Sequence, residues 1–197
     1  MGFYAPSQLV QDARRHGIEV RAVDVTASGW DCTLEPADET LARPHCPGIR
    51  QPQPAVRLGL RLVATLSENA ARHLVAARAQ APFTSTEDLA LRAQLGTLEI
   101  NALAAADALL PLAGHRRQQV WQAAAIKPAP LLLKAVPTHE ITLALPDTTD
   151  GENILFDYQA TGLPLPRHPL PLPSPPLAPK AYPLAHPPPP LPRTPPP

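Results

Sequence analysis

Proline is concentrated at one end of this 197-residue chain, and it separates a part that can fold from a part that cannot. Half of the residues from Pro164 to Pro197 are proline. Each proline lacks a backbone N–H and fixes φ, so neither a helix nor a sheet can continue through such a run. We therefore predict a disordered or polyproline-II tail over residues 164–197. The 29 prolines and few aromatic residues also indicate a folded part shorter than the whole chain.

Charge and cysteine content exclude several classes of protein. The 17 basic and 17 acidic residues cancel, so any attraction to DNA or to an acidic membrane must be local. Cys32 and Cys46 are too few for a disulfide scaffold and favour a reduced, cytoplasmic setting. With His45 they lack a fourth metal ligand, and we predict no metal site. No signal peptide and no membrane-length apolar run is found, so no membrane partner is expected.

Residues 1–55 have the pattern of a small helix-and-strand unit. Ser7 can cap a helix over residues 8–16 that stops at Gly17. Mostly alternating apolar residues predict strands at 18–25 and 30–34. A polar, proline-rich connection follows, and an extended apolar pattern resumes at 55–60, which favours a hairpin with a long insertion.

Four helices are predicted in a second unit, residues 56–127. Ser67 caps the first helix, which runs to Arg78; a capping box at 85–88 opens a helix over 88–95; Thr97 can cap a helix over 98–106; and His115–Ala125 forms the fourth. We expect Trp121 to lie in the core of this unit rather than to serve as a stacking platform for a base. Residues 128–163 are predicted to be a linker in which 153–159 form an isolated helical turn or two. The fold class is therefore α+β, with an all-helical second unit and a disordered tail.

Several segments carry a resemblance to a known family. Gly2–Gly17, Val23–Val25 and Trp30–Glu35 closely resemble bacterial error-prone DNA polymerases of the C family, the translesion type that copies damaged templates. The resemblance continues through Arg57–Val63, Ala76–Arg78, Gly114–Gln118 and Asp157–Leu163, with His168–Pro169 beyond them. It covers most of the chain before the proline-rich tail.

The resemblance implies a role for each unit. Residues 1–55 would correspond to the end of the fingers domain, and residues 56–127 to a tandem helix-hairpin-helix region that holds duplex or primer-template DNA. The metal-binding carboxylates of such enzymes would lie in an upstream palm domain, so the resemblance implies a fragment of the polymerase. Magnesium is the cofactor implied for the parent enzyme, none is expected in this fragment, and the remaining polymerase segments are possible partners.

Phosphoryl transfer with two metals needs clustered carboxylates. Asp24, Asp31 and Glu35, with Asp38 and Glu39, are close only in sequence and are interpreted as solvated charges. We therefore predict no catalytic residues in this chain.

Helix-hairpin-helix modules hold DNA because a tight turn before a helix presents backbone N–H groups to a phosphate. The resemblance places Thr65 where the family has the glycine of the first hairpin, with Ala64 at its usual lysine and Ser67 at a position often held by glycine or serine. Asp107 stands where the family has the glycine of the second hairpin. A β-branched residue in a left-handed turn costs on the order of 1–2 kcal/mol, and Asp107 would set an anion beside a phosphate, so both changes should weaken DNA binding.

The predicted DNA-binding residues combine these turn positions with basic side chains. They are Thr65, Ser67, Arg72, Arg78, Asp107, His115, Arg116 and Arg117, with Arg57 and Arg61 as further arginines that could contact phosphate. Arg116 and Arg117 are the strongest candidates. The alternative is that these arginines are solvated charges on helix faces.

Two other functions are compatible with the sequence. The chain could be an interaction protein whose proline-rich segment Pro187–Pro192 docks in an aromatic groove. It could also be a degenerate remnant with no function.

Overall fold

The computed structural model describes residues 4–36, 53–126 and 145–163. The predictions for the proline-rich tail, His45 and Cys46 lie outside these residues. The elements are α1 (Pro6–Arg15), β1 (Val20–Arg21), β2 (Thr33–Glu35), β3 (Ala55–Arg57), a 3-10 turn (Leu60–Leu62), α2 (Glu68–Gln80), α3 (Thr86–Arg92), α4 (Thr97–Ala105), α5 (Leu110–Ala113), α6 (Arg116–Ala125) and α7 (Asp150–Ala160). The α+β class is confirmed.

The N-terminal piece is one helix beside a three-stranded sheet in the order β1-β3-β2. β3 pairs parallel to β1, with Val20 opposite Val56, and antiparallel to β2, with Leu34 opposite Val56. The first predicted strand is much shorter than expected, because a turn begins at Val25, four residues after the end of β1. Ser7 is not the N-cap of α1: Pro6 occupies the first helical position, where its missing N–H costs nothing, and Ala5 caps.

Charged side chains cross-link the sheet. Glu35 on β2 accepts from Arg57 Nε at 2.9 Å and from Arg21 Nη1 at 2.7 Å. Both bonds lower the pKa of Glu35, and the bond from Arg57 has the larger effect. Arg57 also donates to the Ala22 carbonyl at 3.0 Å, so its guanidinium is part of the sheet rather than a free phosphate ligand.

Within the described residues the helices enclose one apolar core, to which the N-terminal piece and α7 also contribute. Its fully buried side chains include Leu60, Leu74, Leu89, Ile100, Leu103, Leu109 and Val25. The Val25 N–H donates to the Ala108 carbonyl at 3.1 Å, across the boundary between the two predicted units. Because apolar surface and backbone bonds are shared, the sheet and the helices stabilise one another.

Helix boundaries differ from the predicted ones where a left-handed residue intervenes. α3 ends at Arg92 rather than residue 95, because Gln94 has a φ of 53°. α4 is capped by Gly96, and Thr97 is its first residue rather than its cap. The short helix α5 has no counterpart in the prediction.

The expectation of an isolated turn or two at residues 153–159 is wrong. α7 is an 11-residue helix with a capping box, in which Thr149 Oγ1 accepts from the Glu152 N–H and the Glu152 carboxylate accepts from the Thr149 N–H. Ile154, Ala160 and the following Leu163 are buried. This helix is stable because it packs on the core, which sequence periodicity alone does not reveal in a short segment.

Gly59 lies where two backbone segments cross. A Cβ atom at this position would lie 2.4 Å from both the Trp30 carbonyl oxygen and the Asp31 carbonyl carbon. The φ of Gly59 is −83°, so any residue could adopt its conformation. The close approach of backbone, rather than the torsion angle, requires glycine here.

We expect Gly59→Ala to lower the free energy of unfolding by about 1–3 kcal/mol, because the clash is with backbone that cannot rotate away. Gly151→Ala is the matched control: a Cβ there meets nothing within 4 Å. Within a helix the control should be neutral or stabilising by up to about 1 kcal/mol. Chemical denaturation of both variants measures the difference, and equal stabilities would contradict the inferred clash.

Candidate nucleic-acid interface

Three tight turns each contain a left-handed residue that is not glycine. The φ values are 65° at Thr65, 53° at Gln94 and 60° at Asp107. Each residue lies two positions before the N-cap of the following helix, the caps being Ser67, Gly96 and Leu109. The left-handed conformation predicted for Thr65 and Asp107 is confirmed, whereas Gln94 was missed.

The turns at Gln94 and Asp107 are built by the same C-terminal capping bonds. The Gln94 N–H donates to the Leu91 carbonyl at 3.3 Å and the Leu95 N–H to the Ala90 carbonyl at 3.0 Å. At the end of α4, the Asp107 N–H reaches the Ala104 carbonyl and the Ala108 N–H the Leu103 carbonyl, at 3.2 and 3.0 Å. This pattern is the Schellman motif, which normally uses glycine at its left-handed position. Glutamine is not typical of this position, so Gln94 itself does not predict a turn. The only sequence indication of the turn is the glycine in the Leu95-Gly96 pair that follows.

The first hairpin leads into α2, and Ser67 is its N-cap as predicted. Ser67 Oγ accepts from the Ala70 N–H at 3.1 Å. Among the described residues, the N–H groups of Ser67, Glu68 and Asn69 have no acceptor. Three unpaired amides at the positive end of a 13-residue helix form an anion-binding arrangement.

Acidic and basic side chains stand close to this first hairpin. Glu68 Oε1 accepts from Arg72 Nη2 at 2.6 Å, and Arg72 is one of the most exposed arginines, with 69% of its side chain accessible. The pair is four residues apart on the helix surface, where such contacts are weak. Arg72 can therefore exchange Glu68 for another anion.

In the second hairpin, which is the turn at Asp107, the aspartate side chain is hydrogen-bonded within the protein. Asp107 Oδ1 accepts from Gln119 Nε2 at 2.6 Å, and Gln119 also donates to the Gly114 carbonyl at 2.6 Å. Gln119 Oε1 accepts from the Leu109 N–H at 3.2 Å. Burial raises the pKa of Asp107, while the charge of Arg116 opposes that rise. The aspartate thus fixes the hairpin rather than confronting a phosphate directly.

Arg116 has a different position from the one its sequence predicts. Only 4% of the residue is exposed. Its Nη2 donates to Asp157 Oδ1 and its Nη1 to the Asn153 carbonyl at 2.7 Å, both on α7. Because the guanidinium is enclosed, Arg116 has no surface for direct phosphate contact in this conformation.

His115 and Arg117, on either side of Arg116 at the start of α6, are more exposed than Arg116. His115 is the N-cap rather than the first helical residue, and its Nδ1 accepts from the Gln118 N–H at 3.4 Å. Arg117 is 35% exposed and donates to Glu152 Oε2 at 3.1 Å. The pKa of Glu152 is lowered by its bonds from the Thr149 N–H and hydroxyl, with a smaller influence from Arg117. Of the two arginines favoured by sequence, only Arg117 is accessible.

Of the remaining candidate arginines, Arg78 holds two segments of the structure together, and Arg61 lies in a surface ion pair. Arg78 Nη1 donates to the Val25 and Ser28 carbonyls, each at 2.9 Å, and burial lowers its pKa. Arg61 Nη1 pairs with Asp31 Oδ1 at 2.7 Å on the surface. Arg78 therefore links α2 to the N-terminal piece and is not free to contact DNA.

Trp121 is exposed, contrary to the expectation that it lies in the core. Its accessible fraction is 56%. It follows Arg117 by four residues on α6, so both side chains lie on one face of that helix. The neighbouring Val120 is the residue that packs on the core, a difference of one position that helical periodicity does not resolve in a short alanine-rich segment.

Neither a metal site nor a membrane span is found within the described ranges. No three His, Cys, Asp or Glu side chains among residues 4–36, 53–126 and 145–163 could hold a metal ion. In the same residues no helix is long and apolar enough to cross a membrane.

The two adjacent arginines of α6 should respond differently to truncation. Arg116→Ala leaves Asp157 buried without its partner and should cost about 3–5 kcal/mol of unfolding free energy, whereas the exposed Arg117→Ala should cost about 0–1 kcal/mol. Thermal and denaturant unfolding of both variants tests this. A tolerated Arg116→Ala would mean that the buried pair is not formed in solution.

The left-handed turn at Thr65 should be strained. Replacing Thr65 by glycine relieves a cost on the order of 1–2 kcal/mol, partly offset by the greater flexibility of glycine in the unfolded chain, so a net gain of roughly 0.5–1 kcal/mol is expected. Thr65→Ala is the control, since it removes the branch but keeps Cβ and should recover less. A loss of stability in Thr65→Gly would contradict the assigned φ.

Comparison with known proteins agrees with this architecture. The family model described as "Helix-hairpin-helix motif" matches residues 17–119. Proteins named "Error-prone DNA polymerase" are similar to 86% of the chain: 54% identical over 172 residues in an Azoarcus species, 50% over 177 residues in Methylococcus capsulatus and 50% over 171 residues in Bordetella parapertussis. The chain spans 15%, 17% and 15% of the length of these relatives. The resemblance found in the sequence is confirmed, and the chain belongs to the helix-hairpin-helix family.

Proposed function

We propose that this chain is a DNA-binding segment of an error-prone DNA polymerase that contacts the backbone of duplex or primer-template DNA without reading its sequence. The observation that carries the proposal is the first hairpin, where the left-handed Thr65 turns the chain so that unpaired amides at the start of α2 meet solvent. Such an arrangement suits a phosphate group. The relatives are named as DNA polymerases, which supports nucleic acid as the source of that phosphate.

The proposed contacts divide into direct and supporting residues. Ser67, Arg72 and Arg117, with His115 at the helix start, contact or face the phosphate backbone. Thr65 and Asp107 set the hairpin turns. Arg78 and Arg116, enclosed by backbone carbonyls and carboxylates, support the surface from beneath. Phosphate contacts of this kind position a protein on DNA without sequence preference.

The local charge predicts weak binding. Residues 56–126 contain seven arginines and five carboxylates, so the excess of positive charge is small. Non-specific affinities of DNA-binding proteins lie at about 10⁻⁴–10⁻⁶ M in physiological salt. We expect this chain to lie toward the weak end, because most of its arginines are already paired.

The proposal assigns binding, not chemistry, to this chain. Nucleotide transfer and its magnesium would belong to the rest of the polymerase, and the other polymerase segments are proposed as partners. Leu9 of α1 and Tyr4 are 58% and 69% exposed, and each offers an apolar side chain for such a contact. We propose a cytoplasmic location, where chromosomal DNA is accessible in bacteria.

Binding of the whole chain to fluorescently labelled duplex and primer-template DNA over a salt series tests the proposal. We expect roughly micromolar affinity in low salt that weakens toward about 10⁻⁴ M as the salt concentration rises to the physiological value. Arg117→Ala should weaken binding and reduce the salt slope by about one unit, the value for one lost phosphate contact. Because Trp121 follows Arg117 by four residues on α6, quenching of its fluorescence by DNA provides a second, label-free readout, for which Trp30→Phe removes the other tryptophan of the chain.

The control is Arg15→Ala on α1. It removes the same charge from an exposed position outside residues 56–126. The salt slope of this variant should equal that of the wild type. Absence of binding at roughly 100 μM DNA in low salt would overturn the proposal, because this concentration equals the weak limit of non-specific affinities in physiological salt and low salt should tighten binding further. A degenerate remnant or a proline-mediated adaptor would then be favoured.

A further inference from the structure

Each basic residue at the start of α6 faces a carboxylate from a single later segment. His115 Nδ1 lies 3.5 Å from Asp147 Oδ1, Arg117 Nη2 lies 3.1 Å from Glu152 Oε2, and Arg116 pairs with Asp157. We name residues 147–157 the acidic segment. Its carboxylates thus occupy the positions that an anion would take at the start of this helix.

The acidic segment has a charge opposite to that of the surface it covers. Residues 145–163 contain four carboxylates and no lysine or arginine, whereas residues 56–126 have two more arginines than carboxylates. The covered surface is therefore net positive alone and net negative with the segment in place. A phosphate approaching this surface must compete with carboxylates that are already bound.

The three pairs differ in burial. The side chains of Arg116 and Asp157 are 3% and 8% exposed, while those of Arg117 and Glu152 are 35% and 47% exposed and Asp147 is 78% exposed. A backbone bond from the Ala64 N–H to the Ala160 carbonyl at 2.7 Å holds the other end of α7 against the first hairpin. The inner pair and this bond keep the helix in place, and only the outer pairs are open to exchange with solvent anions.

We propose that the acidic segment is an intramolecular competitor of DNA phosphate. Glu152 neutralises Arg117 when DNA is absent, and a phosphate group replaces this carboxylate when DNA binds. Asp147 adds a second negative charge at the start of α6, 3.5 Å from His115. α7 itself stays docked through Arg116 and Asp157. The inference rests on the proposed DNA-binding function and deepens it, since it names residues that set the affinity.

Glu152 can be altered without dismantling its helix. Its carboxylate accepts from the Thr149 N–H at 2.8 Å in the capping box, and glutamine can fill the same role. Glu152→Gln therefore removes the charge that faces Arg117 while keeping the cap. Glu87→Gln on α3 is the matched control, because Glu87 is exposed and has no ion pair among the described residues.

The test measures binding of the full-length wild type and variants to the same labelled duplex over a salt series. Glu152→Gln should bind roughly two- to fivefold more tightly, the equivalent of one exposed ion pair, and its salt slope should steepen by up to about one unit. Glu152→Gln with Asp147→Asn should add to the gain. Glu87→Gln should change affinity less than twofold, and in the Arg117→Ala background the gain from Glu152→Gln should disappear.

The outcomes separate this inference from the proposed function. If the wild type binds DNA and Glu152→Gln changes the affinity no more than Glu87→Gln does, the competitor is overturned and DNA binding remains. The same holds if the gain in affinity from Glu152→Gln persists in the Arg117→Ala background. If only the double variant Glu152→Gln with Asp147→Asn binds DNA, the result would support both the competitor and the proposed DNA-binding function. No binding by any variant would overturn both. Circular dichroism and thermal unfolding of each variant verify that the fold is retained.

Discussion

The buried ion pair between Arg116 and Asp157 is the interaction on which the architecture of the candidate site depends. It joins the start of α6 to α7, and Arg116 Nε lies 3.9 Å from the Asp107 carboxylate of the second hairpin. Arg116 Nε and Asp157 Oδ2 have no hydrogen-bond partner among the described residues. Loss of one partner would leave the other charge enclosed, so the pair constrains the geometry more than it adds to stability.

The hairpins show how the same turn is made without glycine. Schellman bonds fix the chain at Gln94 and Asp107, and Gln119 adds three side-chain bonds around Asp107. A short polar side chain such as aspartate tolerates the left-handed region, since it can form local hydrogen bonds. Thr65 is β-branched and its turn has no Schellman bonds. Backbone bonds from the Ala64 N–H to the Ala160 carbonyl and from the Leu66 N–H to the Val63 carbonyl hold this turn, with the buried Leu60 and Leu66 beside it.

Much of this fold could be predicted from local rules, and the errors share one cause. Ser67 and the left-handed Thr65 and Asp107 followed from capping preference and from the family resemblance, and the main helices were found. The roles of Arg116, Trp121 and α7 were not, because each depends on contacts between residues far apart in sequence. An arginine at a helix start has the same local pattern whether it faces a phosphate or, as Arg116 does, an aspartate 41 residues later.

This ambiguity has a physical origin that bears on the function. A helix start with adjacent basic residues attracts any anion, and a carboxylate within the chain has a concentration advantage over a phosphate from solution. Burial decides the result: Arg116, enclosed with Asp157, is committed to the fold, whereas Arg117 and Glu152 remain accessible enough to exchange. Adjacent residues on one helix can thus have separate roles, with the inner arginine fixing the surface and the outer one accessible to an anion. The direction of each side chain, rather than the number of arginines, determines how strongly this surface can hold an anion.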